Sequence, residues 1–151
     1  MNRNNFFVKT LYETNSNLVS LCLLLLRCTI GILLFVAGSG KLFGWFGGYG
    51  LEASIQGYNK MGISAILTYL SIYTEFIGGL LLTIGLLTRP VAFAIMINML
   101  VATLVTLPNG FMGPTGAQTA FIFLVIDIVI LLAGPMAYSV DAPIFKSQGN
   151  T

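Results

Sequence analysis

The sequence contains no histidine and only two cysteines among its 151 residues. Without histidine, the chain lacks the commonest protein metal ligand and the usual axial ligand of haem. Cys22 and Cys28 lie on one predicted helix, separated by about 9 Å of helical rise, which excludes a disulfide within that helix. No CxxC pair is present, which argues against a thiol–disulfide exchange enzyme. We expect no metal site and no covalently bound cofactor.

Charged residues are also scarce, at 8% of the chain, whereas an ordinary soluble domain has about 25%. Hydrophobic residues make up 56%, and the mean hydropathy is +0.90. This composition indicates an integral membrane protein, and the length indicates one domain. The net charge is only +2 and no basic run is present, so we expect no nucleic-acid partner.

Four apolar stretches predict membrane-spanning helices, at about residues 18–37, 63–87, 91–107 and 118–132. The second and third are separated by a very short turn, so they should form an antiparallel hairpin. We therefore predict an all-α integral membrane protein built as a four-helix transmembrane bundle. The predicted organisation is an N-terminal arm at 1–17, a membrane domain at 18–134 and a short, loose C-terminal tail at 135–151.

The longest connection, residues 38–62, is rich in glycine and in aromatic residues of the kind found at membrane interfaces. Leu51, Ile55, Tyr58 and Met61 fall on one helical face, and polar residues occupy the other positions. This periodicity predicts a short amphipathic helix at the membrane surface between spans 1 and 2. The alternative is an extramembrane loop with incidental periodicity.

Four spans would place both termini on one side of the membrane. That side would carry four basic residues, Arg3, Lys9, Arg89 and Lys146, and the other side would carry Lys41 and Lys60. The positive-inside rule then predicts that both termini are cytoplasmic.

Each predicted span carries one conspicuous polar side chain near its middle: Arg27, Glu75, Asn98 and Asp127. A charged group in hydrocarbon costs about 2.5–3.5 kcal/mol on insertion scales, so such residues are kept for a reason. In a four-helix bundle the four side chains could converge at one depth.

We assign all four residues to a candidate ligand-binding site facing a membrane-soluble molecule. Arg27 would act as anchor and counter-ion, and Glu75 or Asp127 would carry an exchangeable proton as candidate catalytic groups. The alternative is structural: an interhelical ion pair, with Asn98 forming a hydrogen bond across the bundle.

Several motifs recur in a definite order along the chain. Span 1 carries the pattern R-x3-G-x3-F-x2-G-x2-KL, at Arg27, Gly31, Phe35, Gly38, Lys41 and Leu42. Span 2 carries E-x2-GG-x5-GLLTR, at Glu75, Gly78, Gly79, Gly85, Leu86, Leu87, Thr88 and Arg89. In order and spacing these motifs resemble the DoxX family of small four-helix membrane proteins, over roughly residues 20–134. Ser64 departs from the family pattern, which has proline there.

The resemblance implies a multi-pass protein of the bacterial cytoplasmic (inner) membrane. The family takes its name from a subunit of a thiosulfate:quinone oxidoreductase, and other relatives serve as membrane partners of soluble redox enzymes. It therefore implies a membrane subunit of an oxidoreductase system, with quinone or a similar lipophilic carrier bound near Arg27, Glu75 and Asp127. Electrons would come from a soluble or membrane-bound redox partner.

The alternative function is non-enzymatic: a membrane scaffold, an assembly module or a small-ligand transport module whose polar cluster is structural. Membrane lipid is an expected partner in either case. Small residues on the predicted helix faces also suggest a homo-oligomer, since such faces let transmembrane helices approach closely.

Overall fold

The computed structural model of the protein describes residues 16–134 and 139–141. The predicted N-terminal arm therefore lies almost wholly outside the described residues, as does most of the predicted tail. In the described part every regular element is helical and no strand is present, so the all-α prediction is confirmed there.

Five α-helices follow one another in the described part of the chain. They are α1 (Ser16–Phe43), α2 (Gly50–Lys60), α3 (Ala65–Ile84), α4 (Thr88–Thr106) and α5 (Gln118–Ala133), with short 3₁₀ turns at Trp45–Gly47 and Leu107–Asn109. Among the residues that the structure describes, three segments are long and apolar enough to cross a membrane: Leu18–Phe43, Ala65–Ile84 and Thr88–Asn109. Helix α5 is equally apolar but has 16 residues, about 24 Å of rise against a hydrocarbon core of about 30 Å.

The helices pack in two main pairs, α1 against α3 and α4 against α5. The short connection between α3 and α4 joins the pairs, as the predicted hairpin requires, and α1 also contacts α5. Buried Leu34, Leu82, Ile95 and Ile130 belong to a single apolar core between these helices. Most other large apolar side chains are exposed, as expected for a surface that faces lipid.

Helix α1 continues to Phe43, six residues past the predicted end of span 1. The sequence around Gly38 and Gly40 suggests a loop because glycine has low helix propensity. Tertiary packing outweighs that propensity, since a Cβ on Gly38 would lie 2.5 Å from the backbone nitrogen of Phe76 on α3. The absent side chain is what lets the two helices touch.

The packing of α1 on α3 through glycine residues removes the argument for a homo-oligomer. Gly31 of α1 and Gly79 of α3 also meet backbone-to-backbone, with a Cβ on Gly79 lying 2.5 Å from the Phe35 nitrogen. The small residues are therefore engaged within one chain. They no longer argue for a second copy, and the homo-oligomer stays an untested prediction.

The α3–α4 turn is closed by a residue from the C-terminal segment. Both oxygens of the Asp141 carboxylate accept backbone N–H bonds, Oδ1 from Leu87 at 2.9 Å and Oδ2 from Thr88 at 2.8 Å. The Thr88 hydroxyl donates to the same Oδ2 at 2.9 Å. Asp141 is only 4% exposed, so the expectation of a loose tail is wrong at this position. A carboxylate is well placed there because helix N-termini carry unpaired N–H groups and partial positive charge.

Removing this cap should destabilise the protein in a pH-dependent way. Burial alone would raise the pKa of Asp141, but the hydrogen bonds from Thr88 and Leu87, helped by the charge of Arg27, hold it below its ordinary value of 3.8. The stabilisation is therefore complete above that ordinary value and is lost as the pH falls below it. We expect Asp141→Ala to lower the free energy of unfolding by about 1–2 kcal/mol at pH 7.

Thermal unfolding in mild detergent at pH 7 and at pH 3 measures this effect. The difference between wild type and Asp141→Ala should shrink at the lower pH. Glu52→Gln, at an exposed position on α2, is the matched control and should leave the melting temperature unchanged. Equal melting temperatures for Asp141→Ala and wild type at pH 7 would show that the cap does not stabilise α4.

Candidate functional site

Glu75 lies in the middle of α3 and forms an ion pair with Lys41 in the last turn of α1. The Lys41 ammonium donates to both carboxylate oxygens, to Oε1 at 2.7 Å and to Oε2 at 2.6 Å. Glu75 is only 4% exposed. The sequence reasoning considered Arg27 as the cation for this site, and the structure corrects it: the partner of Glu75 is Lys41.

Lys41 reaches Glu75 because it lies on the face of α1 that packs against α3. Arg27, Gly31, Leu34, Gly38 and Lys41 follow one another at alternating intervals of four and three residues, which keeps them on one helical face. Except for the partly exposed Lys41, all of these residues are buried. Extending the predicted helix past residue 37 along this spacing would have found Lys41.

Helix α2 covers the ion pair. The Lys41 ammonium also donates to the Tyr58 hydroxyl oxygen at 3.1 Å and lies 5.6 Å from the centroid of that ring. The hydroxyl of buried Ser54 donates to the Gly50 carbonyl at 2.7 Å and lies 3.3 Å from the Lys41 carbonyl, a weaker second acceptor. The predicted amphipathic segment is thus a helix, Gly50–Lys60, and its inner face is anchored to the end of α1.

Arg27 lies at another level of the bundle. A Cβ on Gly85 would come within 2.8 Å of its guanidinium carbon, which places the group at the C-terminal end of α3. Gly85 follows Glu75 by ten residues, about 15 Å of helical rise. The expected convergence of Arg27 with Glu75 at one depth is therefore wrong. Arg27 acts electrostatically on Asp141 instead.

Asp127 is enclosed in the bundle on α5. It is 0% exposed, and neither carboxylate oxygen has a hydrogen-bond partner among the described residues. An ionised carboxylate in such surroundings has nothing to compensate its lost hydration. The structure does not bring Asp127 into the Lys41–Glu75 pair, and its proton-handling role stays a prediction.

Asn98 faces a groove between α3 and α4. Its half-buried side chain holds an amide nitrogen, Nδ2, that is buried and has no acceptor in the described part of the chain. Ala94, Val101 and Ala102 on the same helix line this groove together with Asn98. Hydrogen bonding across the bundle, the structural alternative for Asn98, is not observed for this nitrogen.

The groove has a volume of about 240 Å³ and a largely apolar wall. Helix α3 contributes Leu67, Leu70, Ser71 and Thr74, the connection before α3 contributes Ile63, and α2 contributes Tyr58. Tyr58 therefore connects the groove with the Lys41–Glu75 pair, and Thr74 is the chain neighbour of Glu75. We call this arrangement the α3–α4 groove. It is an apolar cavity between two helices that are apolar enough to cross a membrane, and Tyr58 links it to the Lys41–Glu75 ion pair.

Comparisons with known proteins identify one family and one named relative. The family model described as DoxX matches residues 22–108, which includes Lys41, Glu75 and Asn98. The chain is 32% identical over 128 residues to a Bacillus subtilis (strain 168) protein named "Putative oxidoreductase CatD", covering 84% of this chain and 90% of that protein. No solved structure matches the chain significantly.

Proposed function

This chain belongs to the DoxX family, and we propose that it is the membrane subunit of an oxidoreductase system that binds a quinone or a similar lipophilic carrier. We place the carrier in the α3–α4 groove. The observation that carries the proposal is the groove itself, an apolar cavity lined by Asn98, whose Nδ2 has no acceptor among the described residues, and by Tyr58, which contacts Lys41 of the Lys41–Glu75 pair. The oxidoreductase name of the Bacillus relative supports the same class of function.

The groove suits a molecule that arrives through the bilayer. Leu67 and Leu70 on α3 and Ile97 on α4 line it and are also exposed on the outer surface, so an apolar chain can leave between them into lipid. Ligand sites are commonly apolar cavities with a few placed polar groups. Because the sequence has neither histidine nor a CxxC pair, we assign the electron-carrying group to a partner protein.

We further propose that α5 is a fourth span and that both termini are cytoplasmic. Helix α5 packs along α4, and its apolar length falls only a little short of the hydrocarbon core. Arg3, Lys9, Arg89 and Lys146 would lie on the cytoplasmic side, against Lys41 and Lys60 on the other side, which is the asymmetry that the positive-inside rule requires. We place the protein in the bacterial inner membrane.

The second candidate function is a non-enzymatic scaffold or assembly module. One observation favours it: the Lys41–Glu75 pair satisfies itself and ties α1, α2 and α3 together through Tyr58 and Ser54. In that case the pair stabilises the bundle and the groove holds only membrane lipid.

Filling the groove separates the two functions. Ala102→Phe places a ring in the α3–α4 groove, whereas Leu104→Phe adds one at an exposed position on the same helix. We expect gently purified wild type and Leu104→Phe to yield about one quinone per chain on solvent extraction, and Ala102→Phe to yield much less with unchanged helicity. Phospholipid alone, in equal amount from all three proteins, would support the scaffold.

A further inference from the structure

Tyr58 lines the α3–α4 groove and carries a phenolic hydroxyl that can donate one hydrogen bond. Its oxygen accepts a hydrogen bond from the Lys41 ammonium at 3.1 Å, so the hydroxyl hydrogen must point away from that cation. In the described part of the chain no acceptor is found for it, although the residue lines the groove. Lys41 therefore acts as a positioning residue, since its ammonium orients the phenolic O–H.

Asn98 presents a second donor from the opposite helix. Asn98 lines the same groove, and its Nδ2, which is closed off from solvent, has no acceptor among the described residues. Rotation of the amide about its terminal side-chain bond presents this donor to the groove. A buried donor without an acceptor carries a desolvation penalty. A ligand that supplies the missing acceptor removes this penalty, so the site favours such a ligand.

We infer that the α3–α4 groove recognises the head group of a chain-bearing apolar molecule with two acceptor oxygens, one bonded by the Asn98 amide and the other by the Tyr58 hydroxyl. The inference rests on the proposed function and names the two donors that select the carrier. A volume of about 240 Å³ suits a ring-sized head group, with the apolar chain left in the bilayer. Two sources share this chemistry: the paired carbonyls of a quinone and the ester carbonyls of a phospholipid.

Two substitutions remove one donor each with little change of shape. Tyr58→Phe deletes only the hydroxyl, and Asn98→Leu replaces the amide with an apolar group of similar size. The matched controls are Tyr69→Phe on α3 and Asn59→Leu on α2, both at exposed positions outside the groove. The full chain in lipid nanodiscs is titrated with a decyl-substituted 1,4-benzoquinone.

We expect each donor substitution to raise the Kd for this quinone about three- to tenfold, since each removes one hydrogen bond to a neutral acceptor. The double variant should combine both losses, and the controls should bind like wild type. An analogue with a single carbonyl tests the same point on the unaltered chain, so the inference does not depend on every variant folding. Wild type should bind that analogue more weakly by a similar factor.

The outcomes separate this inference from the proposed function. If wild type binds the quinone and neither donor substitution nor the one-carbonyl analogue weakens binding, the carrier proposal stands and the two-donor inference is wrong. Loss of affinity for only one of the two substitutions also overturns it. If wild type does not bind the quinone but retains phospholipid that both variants lose, the assignment of the two donors is correct and the quinone proposal is wrong. If the protein binds no ligand whose affinity depends on either donor, both the inference and the quinone proposal are wrong.

Discussion

Lys41→Met should be among the most damaging single substitutions in this protein. It removes the partner of a carboxylate that is 4% exposed in the middle of α3. Breaking a buried ion pair by deleting one member typically costs about 3–5 kcal/mol, because the other charge stays buried without compensation. Because the Lys41 side chain is itself 30% exposed, we expect a loss near the lower end of that range, about 3 kcal/mol, in the free energy of unfolding, measured by denaturation in mixed micelles at neutral pH.

Two further variants show whether the loss comes from the stranded charge. Lys41→Met combined with Glu75→Leu removes both charges and should recover much of the lost stability. Lys60→Met replaces a lysine at an exposed position on α2 and should change stability by no more than about 0.5 kcal/mol. A Lys41→Met protein as stable as Lys60→Met would mean that the pair does not hold α1 and α3 together.

Gly38→Val should be comparably damaging for a steric reason. A Cβ at this position would lie 2.5 Å from the Phe76 nitrogen and 2.8 Å from the Phe76 Cα, so rigid backbone would have to move. Overpacking a tight contact typically costs about 1–3 kcal/mol and sometimes more. Because Lys41 lies one turn further along the same face, separating the helices also strains the ion pair with Glu75. The expected result is a large drop in melting temperature or failure to accumulate in the membrane.

Gly57 offers a matched control in the same chain. It lies within α2, and a Cβ there would meet nothing within 4 Å. Gly57→Ala should therefore raise stability slightly, by about 0.5–1 kcal/mol, because alanine favours helix. If Gly38→Ala behaved like Gly57→Ala, the close approach of α1 and α3 would not be required for the fold.

Sequence periodicity predicts much of this fold because lipid and protein contacts mark opposite faces of each helix. The α3–α4 hairpin, the helix at Gly50–Lys60 and the buried face of α1 all follow from residue spacing. The end of α1 does not, since Gly38, Ser39 and Gly40 have low helix propensity and become helical through packing on α3. Because the sequence predicts that span 1 ends near residue 37, Lys41 falls in a predicted loop and is not indicated as the partner of Glu75.

The depth of each side chain could not be predicted from its position within its own helix. Helix α1 has 28 residues and α3 has 20, so a mid-helix residue of one need not face a mid-helix residue of the other. Arg27 consequently meets Gly85 and acts on Asp141 rather than Glu75. The α3–α4 groove could not be predicted from the sequence either, because its shape depends on how α3 and α4 pack together and not on the residue pattern of one helix.

The most direct test of the central claim is to locate a bound carrier. Membranes containing the full chain are illuminated with a photoreactive azido-benzoquinone bearing an apolar chain, with and without excess unlabelled quinone, and the adducts are mapped by mass spectrometry. We predict competed adducts within residues 63–74 and 94–102, the segments of α3 and α4 that line the groove. Competed adducts confined to α1 or α5, or no competed adducts, would contradict the account.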